Sequence, residues 1–262
     1  MAKLPPFPGT TGKRDWRTAF DAIRKLMANG DDTTQVFRIM RALNVGNSPM
    51  NYARLIATDQ GGRLAYERTE LAHVFSQPGY ARQFAPGTIG AAYNHFLEST
   101  GYSADGLAEV SRINAEEDML HPYAWFGRRV RDTHDIWHVL TGYKADESMG
   151  EAALVAFSYA QVGGLGWAFI GAAAALKSIR VTGGTLFARA VWEGYRNGRK
   201  AKWISGEDYE RLLHEPIDAA RARLNIATPV AYQHAQRELG DEMASYLSNR
   251  REVNTASEKL AA

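Results

Sequence analysis

The stretch YAWFGRRVRDTHDIWHVL, residues 123–140, decides how this chain reads. Phe126, Val130 and Trp137 recur along it roughly at helical spacing, and Gly142 stands just past its end, where a helix commonly closes. After a short turn, Ser148 opens a second helix that runs into a charge-free stretch from Ala152 to Leu176. So short a connection makes the two helices antiparallel neighbours. Helical signals continue outward on both sides. Trp16, Phe20, Ile23 and Met27 share a face and stop at Asn29-Gly30, after which Asp31-Asp32-Thr33-Thr34 offers a start for Val36, Phe37, Met40 and Leu43. Helices are expected over Asn51–Ala57, Leu64–Phe75 and Gly87–Leu97, then Lys177–Trp192, Tyr195–Lys202, Ile217–Leu224 and Ala231–Leu247. Alternating β-branched runs are almost absent, no repeat is visible and no linker separates domains. The expected fold is all-α, a single-domain irregular multi-helix bundle over residues 15–250, with an N-terminal tail at 1–14 and a flexible C-terminal tail at 251–262.

Composition narrows the function classes. Among 262 residues, 45% are hydrophobic and 23% charged, the balance of a folded protein rather than a disordered one. A net charge of +2 is too mild for a nucleic-acid binder, which carries a dense basic face. With no cysteine, disulfides and thiolate metal sites are excluded, so any metal must take His and carboxylate ligands. Met1–Pro8 has neither an apolar run nor a small-residue cleavage signal, and a cytoplasmic location is expected.

His134 and His138 are four apart, so on a helix both imidazoles leave one face, one turn apart. Asp135 lies about 100° round from His134, and it can reach the same ion or orient a histidine from behind. Glu151, in the first turn of the next helix, can face back toward them. Two His with one or two carboxylates suit zinc, iron or manganese. The pattern is not the H-E-x-x-H of zinc peptidases, because Asp135 stands where the general-base Glu belongs. Glu151 has a second reading: Ser148-Met149-Gly150-Glu151 matches a capping box, in which Glu151 bonds back to the Ser148 amide.

The 25-odd residues without charge are long enough for a membrane span, but Gly163-Gly164-Leu165-Gly166 would break it into two short helices. Buried core helices are the expected arrangement, with small residues that permit close approach and leave room for an apolar ligand beside Tyr159, Gly163, Gly166 and Trp167. Arg128 and Arg131, a turn before His134, could take an anionic substrate group or face solvent. Arg196, Arg199, Lys200 and Lys202 between Trp192 and Trp203 suit an anionic membrane surface or a solvated helix end.

His134-Asp135-x-x-His138 followed by Gly150-Glu151 resembles the signature of the Coq-four family of ubiquinone (coenzyme Q) biosynthesis proteins. Pro86-Gly87-Thr88-Ile89-Gly90-Ala91-Ala92-Tyr93 is similar to that family's upstream stretch, and Arg196–Lys202, Glu215-Pro216-Ile217 and Arg221–Ile226 are similar to its C-terminal portion. The segment Val139–Gly150 is one residue longer than the family's usual spacing. The resemblance implies a divalent metal on His134, Asp135, His138 and Glu151, with His134, Asp135 and His138 catalytic. It also implies a long apolar pocket for a polyprenyl tail and attachment to the inner face of a membrane. The implied partners are a polyprenyl lipid or quinone precursor, other quinone-biosynthesis proteins and a second copy of the chain. The implied activity is oxidative decarboxylation with hydroxylation at ring C1 of a polyprenylated hydroxybenzoate. A non-catalytic protein that carries or presents an isoprenoid, carotenoid or quinone is the alternative, and an integral membrane protein a third.

Overall fold

Asp15 starts the first helix, α1 (Trp16–Ala28), by accepting the Thr18 backbone N–H at 3.0 Å, and Asn29 ends it. α2 (Thr33–Leu43) packs back against α1 through Ala19, Ala22, Ile23, Leu26, Ile39 and Leu43. The structure, a computed structural model, describes residues 12–30, 32–111 and 121–240; the two expected tails fall mostly outside them. Beyond α2 come α3 (Asn47–Ile56), α4 (Asp59–Glu67), α5 (Leu71–Phe75), a 3-10 turn (Tyr80–Gln83), α6 (Ile89–Thr100) and α7 (Gly106–Ser111). Then follow α8 (Pro122–Asp132), α9 (His134–Thr141), α10 (Ser148–Val162), α11 (Leu165–Thr182) and α12 (Leu186–Lys200). A second 3-10 turn (Ile204–Gly206), α13 (Tyr209–Leu212), α14 (Ile217–Leu224) and α15, residues 230–240, close the described chain. The fold is all-α, with no strand among the described residues beyond a lone bridge between Thr88 and Pro216.

α10 is the axis of the domain. Eleven of its residues are buried, which explains why it carries no charge after Glu151. α12 lies against it at glycine contacts: a Cβ on Gly194 would stand 2.2 Å from the Ala153 carbonyl oxygen, and one on Gly198 2.6 Å from that of Phe157. The charge-free stretch is the expected pair of helices, turned at Gly163 and Gly164 with φ of +68° and +96°. No helix among the described residues is long and apolar enough to cross a membrane. Only α10 is enclosed, however. α11 buries Gly166, Ile170, Gly171 and Ser178 and leaves Leu176 and Ile179 exposed, because α1 and α2 cover only part of its length.

Several expected boundaries move. Residues 123–140 form two helices rather than one, since Thr133 turns its hydroxyl back onto the Arg129 carbonyl at 2.9 Å and the chain restarts at His134. Leu64–Phe75 divides where Arg68 adopts a left-handed φ of +49° and closes α4. The break expected between Trp192 and Tyr195 lies instead at Gly183 (φ +67°), so α12 runs unbroken through both residues. Of the helix expected over 231–247, the described part, to residue 240, is helical.

Candidate metal centre

Because α9 restarts at Thr133, His134 and Asp135 occupy its first turn and His138 its last. The two imidazoles sit side by side with ring centroids 4.8 Å apart. Gly142, at φ +77°, ends α9 and brings the Tyr143 carbonyl to 2.8 Å from His138 Nδ1. That carbonyl can only accept, so Nδ1 carries the proton and Nε2 is left with a free lone pair. His138 Nε2 is buried without a hydrogen-bond partner and stands 3.5 Å from Glu151 Oε1. His134 presents Nε2 at 4.0 Å from Glu151 Oε2, and its Nδ1, buried without a hydrogen-bond partner, has Asp135 Oδ1 at 3.6 Å. Burial disfavours the charged His134 imidazole, but the Asp135 and Glu151 carboxylates outweigh it and hold the ring above the ordinary histidine range.

One ligand atom from each of His134, His138 and Glu151 falls within 4.8 Å of the other two. Donors bound at ~2.0–2.1 Å around a tetrahedral ion are about 3.3 Å apart; the Glu151 oxygens stand 3.5 and 4.0 Å from the two imidazoles and the set spans at most 4.8 Å, so binding draws the side chains together by up to about 1.5 Å. An unpaired, buried imidazole nitrogen beside a carboxylate is the donor set a divalent ion of the zinc, iron or manganese type accepts. Asp135 is not among the converging atoms. Consecutive helical residues diverge by about 100°, which puts Asp135 behind His134, the usual place for a carboxylate that orients a ligand.

The helix starts at Ser148 itself, with extended Glu147 before it and no side chain capping the end, so the Ser148 capping box does not form. Glu151 instead donates its backbone N–H to the Glu147 carbonyl and presents its carboxylate to the histidines. Gly150 makes this possible: a Cβ there would stand 2.0 Å from the Lys144 carbonyl oxygen. The turn is clamped from α15, where Tyr232 and Gln236 both donate to the buried Glu147 carboxylate. Phe96 stacks near His138 at 6.1 Å, with fully buried Tyr93 behind it. Burial and the nearby Asp135 charge push the Tyr93 phenol far above its usual pKa. The side chain of Glu151 is 41% exposed against 1% for His138, so the centre opens to solvent on the Glu151 side.

The other expected site residues fall into two groups. Arg128 forms a two-point ion pair with Glu70, and Arg131 bonds to Asp132. Tyr159 stacks on Tyr195 at 5.8 Å, and Trp167 packs partly buried between two core clusters. Gly163 faces Asn47, and the Gly166 N–H donates to Asn44 Oδ1 at 2.7 Å. Gly163 lies roughly 18 Å along the helix axis from Glu151 at ~1.5 Å per residue, so the apolar group stands at the far end of α10 from the histidines. Tyr143, Glu147 and Tyr232 support the centre with no signal in the local sequence, whereas Gly150 is marked by its place beside Glu151.

The family model described as coenzyme Q (ubiquinone) biosynthesis protein Coq4 matches residues 46–230. The chain is 30% identical over 202 residues to the ubiquinone biosynthesis protein coq4, mitochondrial, of Pyrenophora tritici-repentis, covering 71% of this chain and 63% of that one. It is 33% identical over 145 residues to the mitochondrial COQ4 homolog of Danio rerio, covering 55% and 51%. The chain thus spans about half to two-thirds of the length of these relatives. A crystal structure from Nostoc punctiforme PCC 73102, 18% identical, shares the fold with a TM-score of 0.59 over 82% of this chain and 100% of that one.

Proposed function

The chain belongs to the coenzyme Q (ubiquinone) biosynthesis protein Coq4 family, and from that premise we propose that it replaces the ring C1 carboxylate of a polyprenylated hydroxybenzoate by a hydroxyl. The observation that carries the reading is the convergence of His134, His138 and Glu151, with each imidazole backed by an oxygen at Nδ1. A divalent ion of zinc, iron or manganese held there would act as a Lewis acid toward the substrate carboxylate and, where redox-active, toward dioxygen.

The chemistry balances as follows. The C1–carboxylate bond breaks with loss of carbon dioxide, and C1 gains one oxygen atom from dioxygen. The other oxygen atom leaves as water, with two electrons and two protons from a separate reductant. The protein residues supply position. The Tyr143 carbonyl holds the His138 Nδ1 proton and keeps that ring's Nε2 directed at Glu151, while the Asp135 carboxylate lies 3.6 Å behind His134 Nδ1. Phe96 and Tyr93 wall off the His138 side from water, leaving the exposed Glu151 side as the approach for the aromatic ring. The partners that follow are the polyprenyl lipid, other quinone-biosynthesis proteins and a membrane surface. Exposed Leu176, Ile179 and Trp192 support the last of these.

The test is turnover. Protein loaded separately with iron, manganese or zinc is given a short-chain prenylated hydroxybenzoate labelled at the carboxyl carbon, dioxygen and a reductant. Equal yields of labelled carbon dioxide and hydroxylated product are expected with at least one metal, and none from His138→Ala. Metal-loaded protein that retains the substrate unchanged would overturn the assignment in favour of a lipid carrier.

A further inference from the structure

At the opposite end of α10 from the histidines, a cleft of about 180 Å³ opens between α3, α10, α12 and the chain leading to the second 3-10 turn. Arg54, Gln161, Gly198, Arg199 and Trp203 line it. Gln161 is ten residues beyond Glu151, roughly 15 Å along the helix, so this is a separate place on the surface. The volume far exceeds the ~10–15 Å³ that one water molecule needs.

Two guanidinium groups face this cleft, and no carboxylate among the described residues lines it. Neither Arg54 nor Arg199 has an ion pair or hydrogen bond among the described residues. Arg54 is instead held over the Trp203 ring, 4.3 Å from its centroid, and Trp203 in turn stacks on Phe126 at 6.2 Å. Both arginines lie in the last turn of a helix, where a cation commonly offsets the carbonyl dipole. Here that task is already done by neutral side chains. At the end of α3 the Thr58 hydroxyl donates to the Leu55 carbonyl at 3.1 Å, and at the end of α12 Gln161 donates to that of Gly198 at 2.8 Å and Asn225 to that of Lys200 at 2.7 Å. The guanidinium donors are therefore unused. The wall is also fixed, since Gln161 Oε1 accepts the Ile204 N–H at 2.9 Å. Trp203 adds a buried indole N–H with no acceptor. One unpaired guanidinium held over an indole, a second at the exposed rim and an orphaned N–H match the multi-donor recognition of a tetrahedral oxyanion.

We propose that this cleft binds a phosphate group. Its source is either a soluble phosphate ester or the headgroup of an anionic lipid, and the two are separable by experiment. Inorganic phosphate is titrated calorimetrically into the full chain and into Arg54→Gln, Arg199→Gln and, as a control, Arg24→Gln, whose side chain is 81% exposed on α1. Saturable binding is expected in the wild type and in Arg24→Gln. A loss of about tenfold or more is expected in each cleft variant, the worth of one charge-assisted contact. Sedimentation with phosphatidylcholine vesicles, with and without phosphatidic acid, then assigns the source. Binding to the phosphatidic acid vesicles that inorganic phosphate displaces supports a headgroup; phosphate binding without vesicle binding supports a soluble ester. No phosphate binding by the wild type would overturn the proposal. So would wild-type affinity in either cleft variant, or an equal loss in Arg24→Gln.

Discussion

Gly150→Ala is the sharpest perturbation of the centre that leaves every ligand side chain in place. A Cβ at this position falls 2.0 Å from the Lys144 carbonyl oxygen, 2.7 Å from its nitrogen and 2.9 Å from its carbonyl carbon, all backbone atoms. Carbon–oxygen contacts normally lie near 3.3 Å or beyond, so the Tyr143–Glu147 turn must retreat from α10 by roughly 1.3 Å. Such overpacking costs about 1–3 kcal/mol. Replacing a helical Gly by Ala returns about 0.5–1 kcal/mol. The net loss is about 1–2 kcal/mol, which for a chain of this size lowers the thermal midpoint by about 2–8 °C. Gly62→Ala is the matched control: Gly62 is also helical, but a Cβ there meets nothing within 4 Å, so its midpoint should rise by a degree or more. The retreat also moves the Tyr143 carbonyl off His138 and shifts Glu151, so metal affinity should fall about 10–100-fold. Melting curves by circular dichroism and a competitive metal titration on the same samples measure both effects. A Gly150→Ala midpoint that rises as in Gly62→Ala, with unchanged affinity, would refute the reasoning.

Asp135→Asn should leave the fold intact and weaken metal binding by about 10–100-fold, because the carboxylate behind His134 is lost while Nε2 stays in place; a competition titration with a chromophoric chelator reads it. Asn51→Ala leaves the Val162 carbonyl without the 2.7 Å amide that ties α3 to the end of α10, and should cost about 1–3 kcal/mol in urea unfolding with an unchanged m-value. Tyr232→Phe removes a hydroxyl that donates to buried Glu147 and accepts the Lys144 N–H at 3.0 Å. A loss of about 1–3 kcal/mol is expected, together with faster amide exchange across the Lys144–Glu147 turn.

Much of this architecture is legible from local pattern. The α1–α2 hairpin is marked by Asn29-Gly30, and Glu215-Pro216 opens α14 where it is expected; of the expected face of α1 only Ile23 is buried, because Ala19, Ala22 and Leu26 make the contact with α2 and leave Trp16 and Phe20 exposed. His134 and His138 are readable because an i, i+4 pair shares a face in any helix. The kink at Thr133 is not, because it depends on a hydroxyl bonding back four residues, which a periodic apolar pattern does not register. The role of Glu151 is ambiguous for a related reason. A Ser three residues ahead looks like a cap until the extended Glu147 shows that the helix begins one residue earlier than a Ser148 cap requires. Asn44, Asn51 and Tyr232 act across 85 to 122 positions of sequence, where spacing carries no information. Arg128 reads as an unpaired cation until the fold brings Glu70 beside it, whereas the partner of Arg131 is its own sequence neighbour, Asp132.

The metal centre itself is tested most directly by elemental analysis of the purified chain, loaded in turn with zinc, iron and manganese and dialysed, beside His138→Ala and Glu151→Gln. Near-stoichiometric retention of one divalent ion by the wild type, lost from His138→Ala and much weakened in Glu151→Gln, is the predicted result. A wild-type chain that retains none of the three, or variants that retain as much as the wild type, would contradict it.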